Sequence, residues 1–103
     1  MMSVLLTVSY RVSGDVDGFR AKAEEAAARI AGAPGLKWKI WGLGPDGAGV
    51  SAYLFETAEA ADAFAGGPVI AGLKANPAVQ GVVLAAAAVD AKLSQITHAG
   101  FAG

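Results

Sequence analysis

The aromatic side chains and the single histidine are the residues of this sequence that offer the most chemistry. Indole N–H and phenol O–H groups need hydrogen-bond partners when buried, so they can supply both the walls and the polar contacts of a binding site. Histidine ordinarily titrates near neutral pH, which makes His98 the default general base. The candidate catalytic residues are therefore His98 and Tyr53, and the candidate substrate-binding residues are Trp38, Tyr10, Trp41, Phe55 and Phe64.

Each of these residues also has a purely structural interpretation. Trp38 can be the largest core residue beneath the helices, and Trp41 can pack at an interface or over lysine stems. Tyr53 can fill the core with its hydroxyl satisfied, while His98 lies in a Gly-rich tail where a residue without a function is common. Lys39 could orient an oxyanion, although a strand lysine is usually solvated or paired with a carboxylate.

The composition argues against several classes of site. The chain has no cysteine, which excludes disulfides, thiolate catalysis and zinc–thiolate centres. No His, Asp or Glu pair has ligand-like spacing, and no helix offers an axial histidine for haem, so we expect neither a metal nor a cofactor. A net charge of −1 without a basic cluster predicts no nucleic-acid partner and no membrane partner.

The length and hydrophobicity indicate one small domain that self-associates. A chain of 103 residues fits a single domain over residues 1–103. Hydrophobic residues make up 54% and charged residues only 17%, so polar side chains are too few to coat a monomer and we expect a homo-oligomer. The N-terminal stretch alternates with polar residues and lacks the features of a signal peptide or a spanning helix, which predicts a cytoplasmic protein.

One strand holds both tryptophans. Within the segment from Gly35 to Trp41, the positions of Leu36, Trp38 and Ile40 alternate with those of Lys37, Lys39 and Trp41. A period of two predicts a strand with Trp38 on an apolar face beneath the helices and Trp41 with the lysines on the other face or at the strand end.

The order of elements predicts the fold. Residues 84–88 favour a helix by propensity, yet we assign them to a strand because that position completes the pattern. The predicted elements are a strand at 4–12, a helix capped by Asp15 or Asp17 and ending near Ala31, strands at 35–41 and 50–56 joined by a turn, helical segments at 57–65 and 68–76, and a strand at 79–89. This order predicts an α+β, ferredoxin-like βαββαβ antiparallel sheet with helices on one face, dimerising through its uncovered face.

Three segments carry a resemblance to a known family. Gly35–Trp41, Ala52–Glu56 with the alanine-rich helix that follows, and Leu93–Thr97 resemble the small YdhR-type mono-oxygenases of the dimeric α+β barrel superfamily, which also contains the antibiotic-biosynthesis monooxygenases. The sequence departs from the family at Gly66–Leu73, where relatives often carry charged residues, and at Val50–Ser51, where a Gly-Gly pair is usual. These departures favour a more apolar ligand.

The resemblance implies a homodimer whose cavity, between sheet and helices, binds a small apolar or aromatic molecule. The implied activity is cofactor-independent mono-oxygenation, or isomerisation or cyclisation, of a small aromatic or polyketide-like compound. Such oxygenation needs a dry pocket, a base that makes a phenolate or enolate, and donors near the developing anion. The alternative is a non-catalytic dimeric module that binds an apolar metabolite.

Overall fold

The structure, a computed structural model, describes residues 2–99 and contains one four-stranded antiparallel sheet with helices against one face. The strand order is β2-β3-β1-β4, which is the ferredoxin-like arrangement expected from the sequence. The elements are β1 (Val4–Val12), α1 (Val16–Ala31), β2 (Leu36–Leu43), β3 (Ala48–Phe55), α2 (Ala58–Ala65), α3 (Pro68–Ala75), β4 (Val79–Ala88) and α4 (Ala91–Ile96).

Strand β1 occupies the centre of the sheet because its alternation suits a half-buried strand. It pairs with β3 on one side, from Val4 opposite Phe55 to Arg11 opposite Ala48, and with β4 on the other. Its even-numbered positions all face the helices and are buried, and they are Val4, Leu6, Val8, Tyr10 and Val12. Together with Ile30, Tyr53, Phe55, Ala61, Ile70 and Val79 they form the core.

Side-chain caps fix where three of the helices begin. The Asp15 side chain accepts a hydrogen bond from the Gly18 N–H at the start of α1, so Asp15 is the cap rather than Asp17. Thr57 caps α2 in the same way by accepting from the Ala60 N–H. Asp90 caps α4, a short helix that the sequence pattern did not predict.

The alanine-rich segment is a strand, as predicted against its helix propensity. Residues 79–88 form β4, and Leu84 to Ala88 pair in order with Val8 to Val4 of β1. Tertiary pairing therefore overrides local preference here. Ala85 to Ala88 are all exposed, so this end of β4 is not covered on either side within one chain.

The sheet face that points away from the helices is apolar and largely uncovered. Ile40, Val50 and Val83 on this face are 62%, 60% and 60% exposed, and Leu5 is 37% exposed. Trp38 and Leu54 lie on the same face, since they pair with each other and Leu54 pairs with Leu5. We call this set the open sheet face; it comprises Leu5, Trp38, Ile40, Val50, Leu54 and Val83.

None of the helices between residues 2 and 99 has both the length and the apolar character needed to cross a membrane.

The β2–β3 turn depends on Gly47, which gives a test of the fold. Gly47 has φ 92°, and a Cβ atom there would overlap the Val12 carbonyl oxygen. We expect Gly47→Ala to lower the free energy of unfolding by about 2 kcal/mol, from backbone strain and the steric overlap together. Urea denaturation of both proteins measures the difference.

Gly14 provides the matched control for this test. It also has a positive φ, 84°, but no heavy atom lies within 4 Å of the position that a Cβ atom would take there. Gly14→Ala should therefore cost about 1 kcal/mol, the backbone strain alone. If both variants lost the same free energy of unfolding, this would contradict a steric overlap at Gly47 with the Val12 carbonyl oxygen.

Candidate active site

A cavity of about 290 Å³ lies between helices α1 and α3 and the helix-facing side of strands β1 to β3. We call it the α1 cavity. Its apolar wall includes Phe19, Ile30, Trp41 and Leu73. Its polar wall residues are Tyr10, Lys22, Arg29, Lys39, Ser51, Tyr53 and Asn76. No acidic side chain among residues 2–99 contributes to this wall, so the charged groups that line it are all cationic.

Lys39 projects its amine into the α1 cavity against two aromatic rings. Its Nζ atom lies 3.1 Å from the Trp41 ring centroid and 4.4 Å from the Tyr53 ring centroid. Within the described residues no carboxylate forms an ion pair with Lys39. Burial lowers the pKa of Lys39 to about 7, even though the ring faces favour the charged ammonium. About half of this amine is therefore neutral near pH 7.

Two tyrosines complete the polar part of the cavity as hydrogen-bond donors. Burial raises the pKa of Tyr53, and the nearby Tyr10 raises it further. Burial also raises the pKa of Tyr10, and the neighbouring Ser51 hydroxyl partly opposes that rise. Both phenols therefore keep their protons at neutral pH, where they can donate to an oxygen atom of a ligand.

Ser51 carries a buried hydroxyl that no protein group satisfies. The residue is 2% exposed, and its Oγ has no hydrogen-bond partner of acceptable geometry among the described residues, Tyr10 included. An unsatisfied buried hydroxyl destabilises the protein by about 1–3 kcal/mol, and a ligand that forms a hydrogen bond with this hydroxyl removes that cost. Ser51 therefore marks the position in the α1 cavity where a polar ligand atom fits.

The expected placement of the two tryptophans was wrong. Leu36 pairs with Phe55 but Trp38 pairs with Leu54, so the register shifts by one residue at a bulge that contains Lys37. Every later residue of β2 consequently faces the opposite side from the one predicted. Trp38 lies half-buried on the open sheet face, away from the α1 cavity, while Lys39 and Trp41 line the cavity.

The remaining predicted substrate-binding residues fall into two groups. Tyr10 and Trp41 line the α1 cavity. Phe55 is fully buried in the core and does not line it. Phe64 packs against Tyr53 with ring centroids 4.8 Å apart, and it lines an adjoining apolar cavity of about 610 Å³ among α1, α2 and α3. Phe55 and Phe64 thus support Tyr53 from behind instead of facing a ligand in the α1 cavity.

The two predicted catalytic residues lie apart. Tyr53 lines the α1 cavity, but His98 is exposed just after the end of α4 and lies outside the cavity wall. Its φ of 72° is the left-handed value that often ends a helix. His98 is therefore not placed to act within this cavity, whereas the Lys39 amine is.

From the sequence, Lys39 was expected to be a solvated or paired side chain, and Ser51 was not among the candidate site residues. Ser51 could have been found, because it is a small polar residue at an inward position of β3, two residues before Tyr53. Lys39 had no comparable signal, since only the bulge turns it inward.

Solved structures with the same fold include proteins of different functions. A protein of unknown function from Nitrosomonas europaea has a TM-score of 0.74 at 15% identity, covering 87% of this chain and 91% of that one. The cofactor-independent oxygenase SnoaB from Streptomyces nogalater has a TM-score of 0.67 at 17% identity, covering 84% and 91%. The heme-degrader MhuD from Mycobacterium tuberculosis has a TM-score of 0.54 at 23% identity, covering 84% and 95%. At these identities the likeness shows a shared fold.

The sequence comparison is more specific than the structural one. No curated protein matches this chain. The model of the family described as "Putative mono-oxygenase ydhR" matches residues 5–100 and so covers nearly the whole sequence. The family resemblance stated from the sequence and the predicted ferredoxin-like βαββαβ fold are both confirmed. The chain belongs to this family.

Proposed function

We propose that this protein is a cofactor-independent mono-oxygenase that oxidises a small phenolic aromatic compound in the α1 cavity. The observation that carries the proposal is the Lys39 amine, which is partly neutral, lies among aromatic rings and lacks a carboxylate partner among the described residues. Membership of a mono-oxygenase family and a fold shared with a cofactor-independent oxygenase support the same activity.

The first step is proton transfer to Lys39. The neutral amine takes a proton from a phenol, or from a CH₂ group between two aromatic rings, and leaves an electron-rich anion. The resulting ammonium group, with Lys22 and Arg29 in the same wall, stabilises that anion in surroundings poorer in water than bulk solvent. The protonated Tyr10 and Tyr53 hydroxyls and the Ser51 hydroxyl donate hydrogen bonds to its oxygen.

The substrate anion supplies the electrons in the second step. Its carbon reacts with O₂ to give a peroxide, which takes the proton back from the Lys39 ammonium as a hydroperoxide. Loss of water from the hydroperoxide then leaves a ketone. For a CH₂ substrate the balance is CH₂ plus O₂ giving C=O plus H₂O. For a phenol, the O–H hydrogen and the hydrogen of the attacked ring carbon leave in the water, and the product is a quinone. In both cases one oxygen atom enters the product and the other leaves as water. No outside reductant is consumed.

Assembly as a homodimer through the open sheet face is the second part of the proposal. Ile40, Val50 and Val83 are apolar side chains at least 60% exposed on one contiguous sheet, which is unusual for a surface in contact with water. The alanines of β4 on this face, Ala85 and Ala87, are small enough for a second sheet to approach closely. The helices stay outside, so each protomer keeps its own α1 cavity.

Oxygen consumption with a defined substrate panel tests the proposed activity. Anthrones, hydroquinones and naphthols are incubated with the protein in excess and with EDTA, and their protein-free autoxidation is subtracted. We expect one O₂ consumed per substrate and, with ¹⁸O₂, one labelled atom in the product. Tight binding of a panel compound that stays unoxidised would instead support the non-catalytic binding module, which the aromatic wall of the cavity also suits.

A further inference from the structure

The Lys39 amine lies where covalent chemistry with a carbonyl group is feasible. It reaches into the α1 cavity between the Trp41 and Tyr53 rings, and these rings leave an apolar wall on which a flat aromatic molecule can stack. No carboxylate of the described residues holds the amine as an ion pair. A lysine in such apolar surroundings is a nucleophile, because only the neutral amine can attack carbon.

The cavity wall around Lys39 contains cationic and neutral titratable groups but no carboxylate of the described residues. Lys22 and Arg29 of α1 line the same cavity as Lys39. Tyr10 of β1 and Tyr53 of β3 stay neutral because burial raises the pKa of each phenol. Helix α3 contributes no titratable side chain to the wall. Burial lowers the pKa of Lys39 to about 7 in this setting.

Ser51 provides a second and independent observation. Its hydroxyl is buried in the wall of the same cavity and has no hydrogen-bond partner among the described residues. Ser51 pairs with Trp41 across the strands, and Lys39 pairs with Tyr53, so the four side chains form two adjacent rows on one face. When the carbonyl carbon of a ligand lies at the Lys39 amine, its carbonyl oxygen is therefore on the side of the cavity where the Ser51 hydroxyl can donate a hydrogen bond to it.

We propose that Lys39 forms an imine with small aromatic aldehydes and ketones bound in the α1 cavity. The amine adds to the carbonyl carbon and the oxygen takes up a proton, which gives a carbinolamine. Loss of water then leaves a C=N bond between the ligand and Lys39, and the two amine hydrogens depart with the carbonyl oxygen. No electrons are exchanged with any third component.

The size and lining of the cavity define the ligand class. A volume of about 290 Å³ lies at the lower end of the range for ligand pockets, roughly 300–1,000 Å³, so one or two rings fit. Trp41, Tyr53 and Phe19 favour a flat aromatic body. This activity goes beyond oxygenation and does not rest on it, since it needs only the amine and the cavity.

Reductive trapping tests the proposal with benzaldehyde as the probe. The intact protein is incubated under nitrogen at pH 7 with benzaldehyde and cyanoborohydride, which converts an imine into a stable benzylamine. We expect one benzyl group per chain, located at Lys39 by peptide mass spectrometry. Labelling of Lys39 should be about 1,000-fold faster than that of an exposed lysine of pKa ~10.4, because about 1,000-fold more of its amine is neutral at pH 7.

Lys37 supplies the matched control on the same strand. Lys39→Arg keeps the positive charge but cannot form an imine under these conditions, so its single-site labelling should disappear, whereas Lys37→Met should label like wild type. Circular dichroism confirms that each variant is folded. Label spread evenly over the five lysines, or a labelling rate unchanged in Lys39→Arg, would overturn the proposal.

The two activities of the cavity fail separately in these experiments. Trapping is done without oxygen, so its success or failure says nothing about oxidation of a phenol. If the protein consumes oxygen but benzaldehyde does not label Lys39, only the imine proposal is contradicted. If Lys39 is labelled but no oxygen is consumed, only the mono-oxygenase proposal is contradicted.

Discussion

Replacing Lys39 with methionine should reduce kcat/KM for oxygen-dependent turnover by about 100-fold or more, the usual contribution of a positioned general base. Methionine is similar in length and can keep the contacts with Trp41 and Tyr53, but it cannot accept a proton. The measurement is oxygen uptake with the best compound of the phenol panel, under single-turnover conditions with the protein in excess.

The dependence of this activity on pH distinguishes a base from a structural residue. Burial lowers the pKa of Lys39 to about 7, so the active neutral amine increases as the pH rises through 7 and activity should rise with it to a plateau. Tyr10 and Tyr53 do not titrate in this range, because burial raises their pKa values. The residual activity of Lys39→Met should show no inflection near pH 7.

Lys37→Met is the control for the loss of activity. Lys37 lies in the bulge of the same strand and does not line the α1 cavity, so this variant should keep wild-type turnover within about twofold. If Lys39→Met also retained turnover within about twofold, or kept the inflection near pH 7, Lys39 could not be the base.

Stability should change with pH in the same two proteins. The pKa of Lys39 is lowered from 10.5 to about 7 in the folded chain, so between these values the unfolded chain binds more protons than the folded one. The free energy of unfolding of wild type should therefore rise relative to that of Lys39→Met from pH 7 to pH 10.5. Below pH 7 both states hold the proton, so the difference in the free energy of unfolding between the two proteins is constant there. Urea denaturation across this range measures the slope.

Much of the fold could be predicted because hydrophobic periodicity and turn residues are local properties. The alternation in β1, the cap at Asp15 and the Pro-Asp-Gly turn before β3 each predict an element without knowledge of the others. The strand at 79–88 was different, because only the order of elements predicted it. The helix propensity of its alanines is too weak to outweigh the pairing of this strand with β1.

The candidate site was harder to predict because it depends on register. Tyr10 and Tyr53 lie on strands whose pairing with each other is unbroken, so their inward positions follow from the period of two. In β2 one extra residue at Lys37 reverses the faces, and nothing in the local sequence marks that bulge. The period of two therefore predicts Trp38 beneath the helices, where the structure places Trp41, and it predicts Lys39 as a solvated or paired side chain, where the structure places it in the cavity wall.

The exposure of α4 and of His98 explains the remaining difference. His98 was a candidate base only because of its residue type, whereas a catalytic residue must also lie close to other functional groups. The described part of α4 leaves Leu93 and Ile96 63% and 66% exposed, so this helix is not packed into the core of its own chain. A titratable residue next to such a helix has no enclosed environment to act in.

Placing an aspartate on the open sheet face should convert a dimer into a monomer. Val50 is 60% exposed in the single chain and lies on β3, near the middle of the sheet, so the proposed interface buries it. Val50→Asp would bury two unpaired carboxylates in each symmetric dimer, at a cost of several kcal/mol. We expect the dimer dissociation constant to rise at least ~100-fold, since each 1.4 kcal/mol is a factor of ten. Light scattering after size exclusion, over a range of protein concentrations, measures the change.

A charge of the same sign elsewhere separates this effect from a general change in solubility. Ala28 is exposed on α1, away from the open sheet face, so Ala28→Asp should leave the dimer intact. The α1 cavity lies on the other side of the sheet, so monomeric Val50→Asp should still be trapped by benzaldehyde at Lys39. A wild-type protein that is monomeric at high micromolar concentration would contradict the interface itself, because so much exposed apolar surface on one sheet would then have no partner.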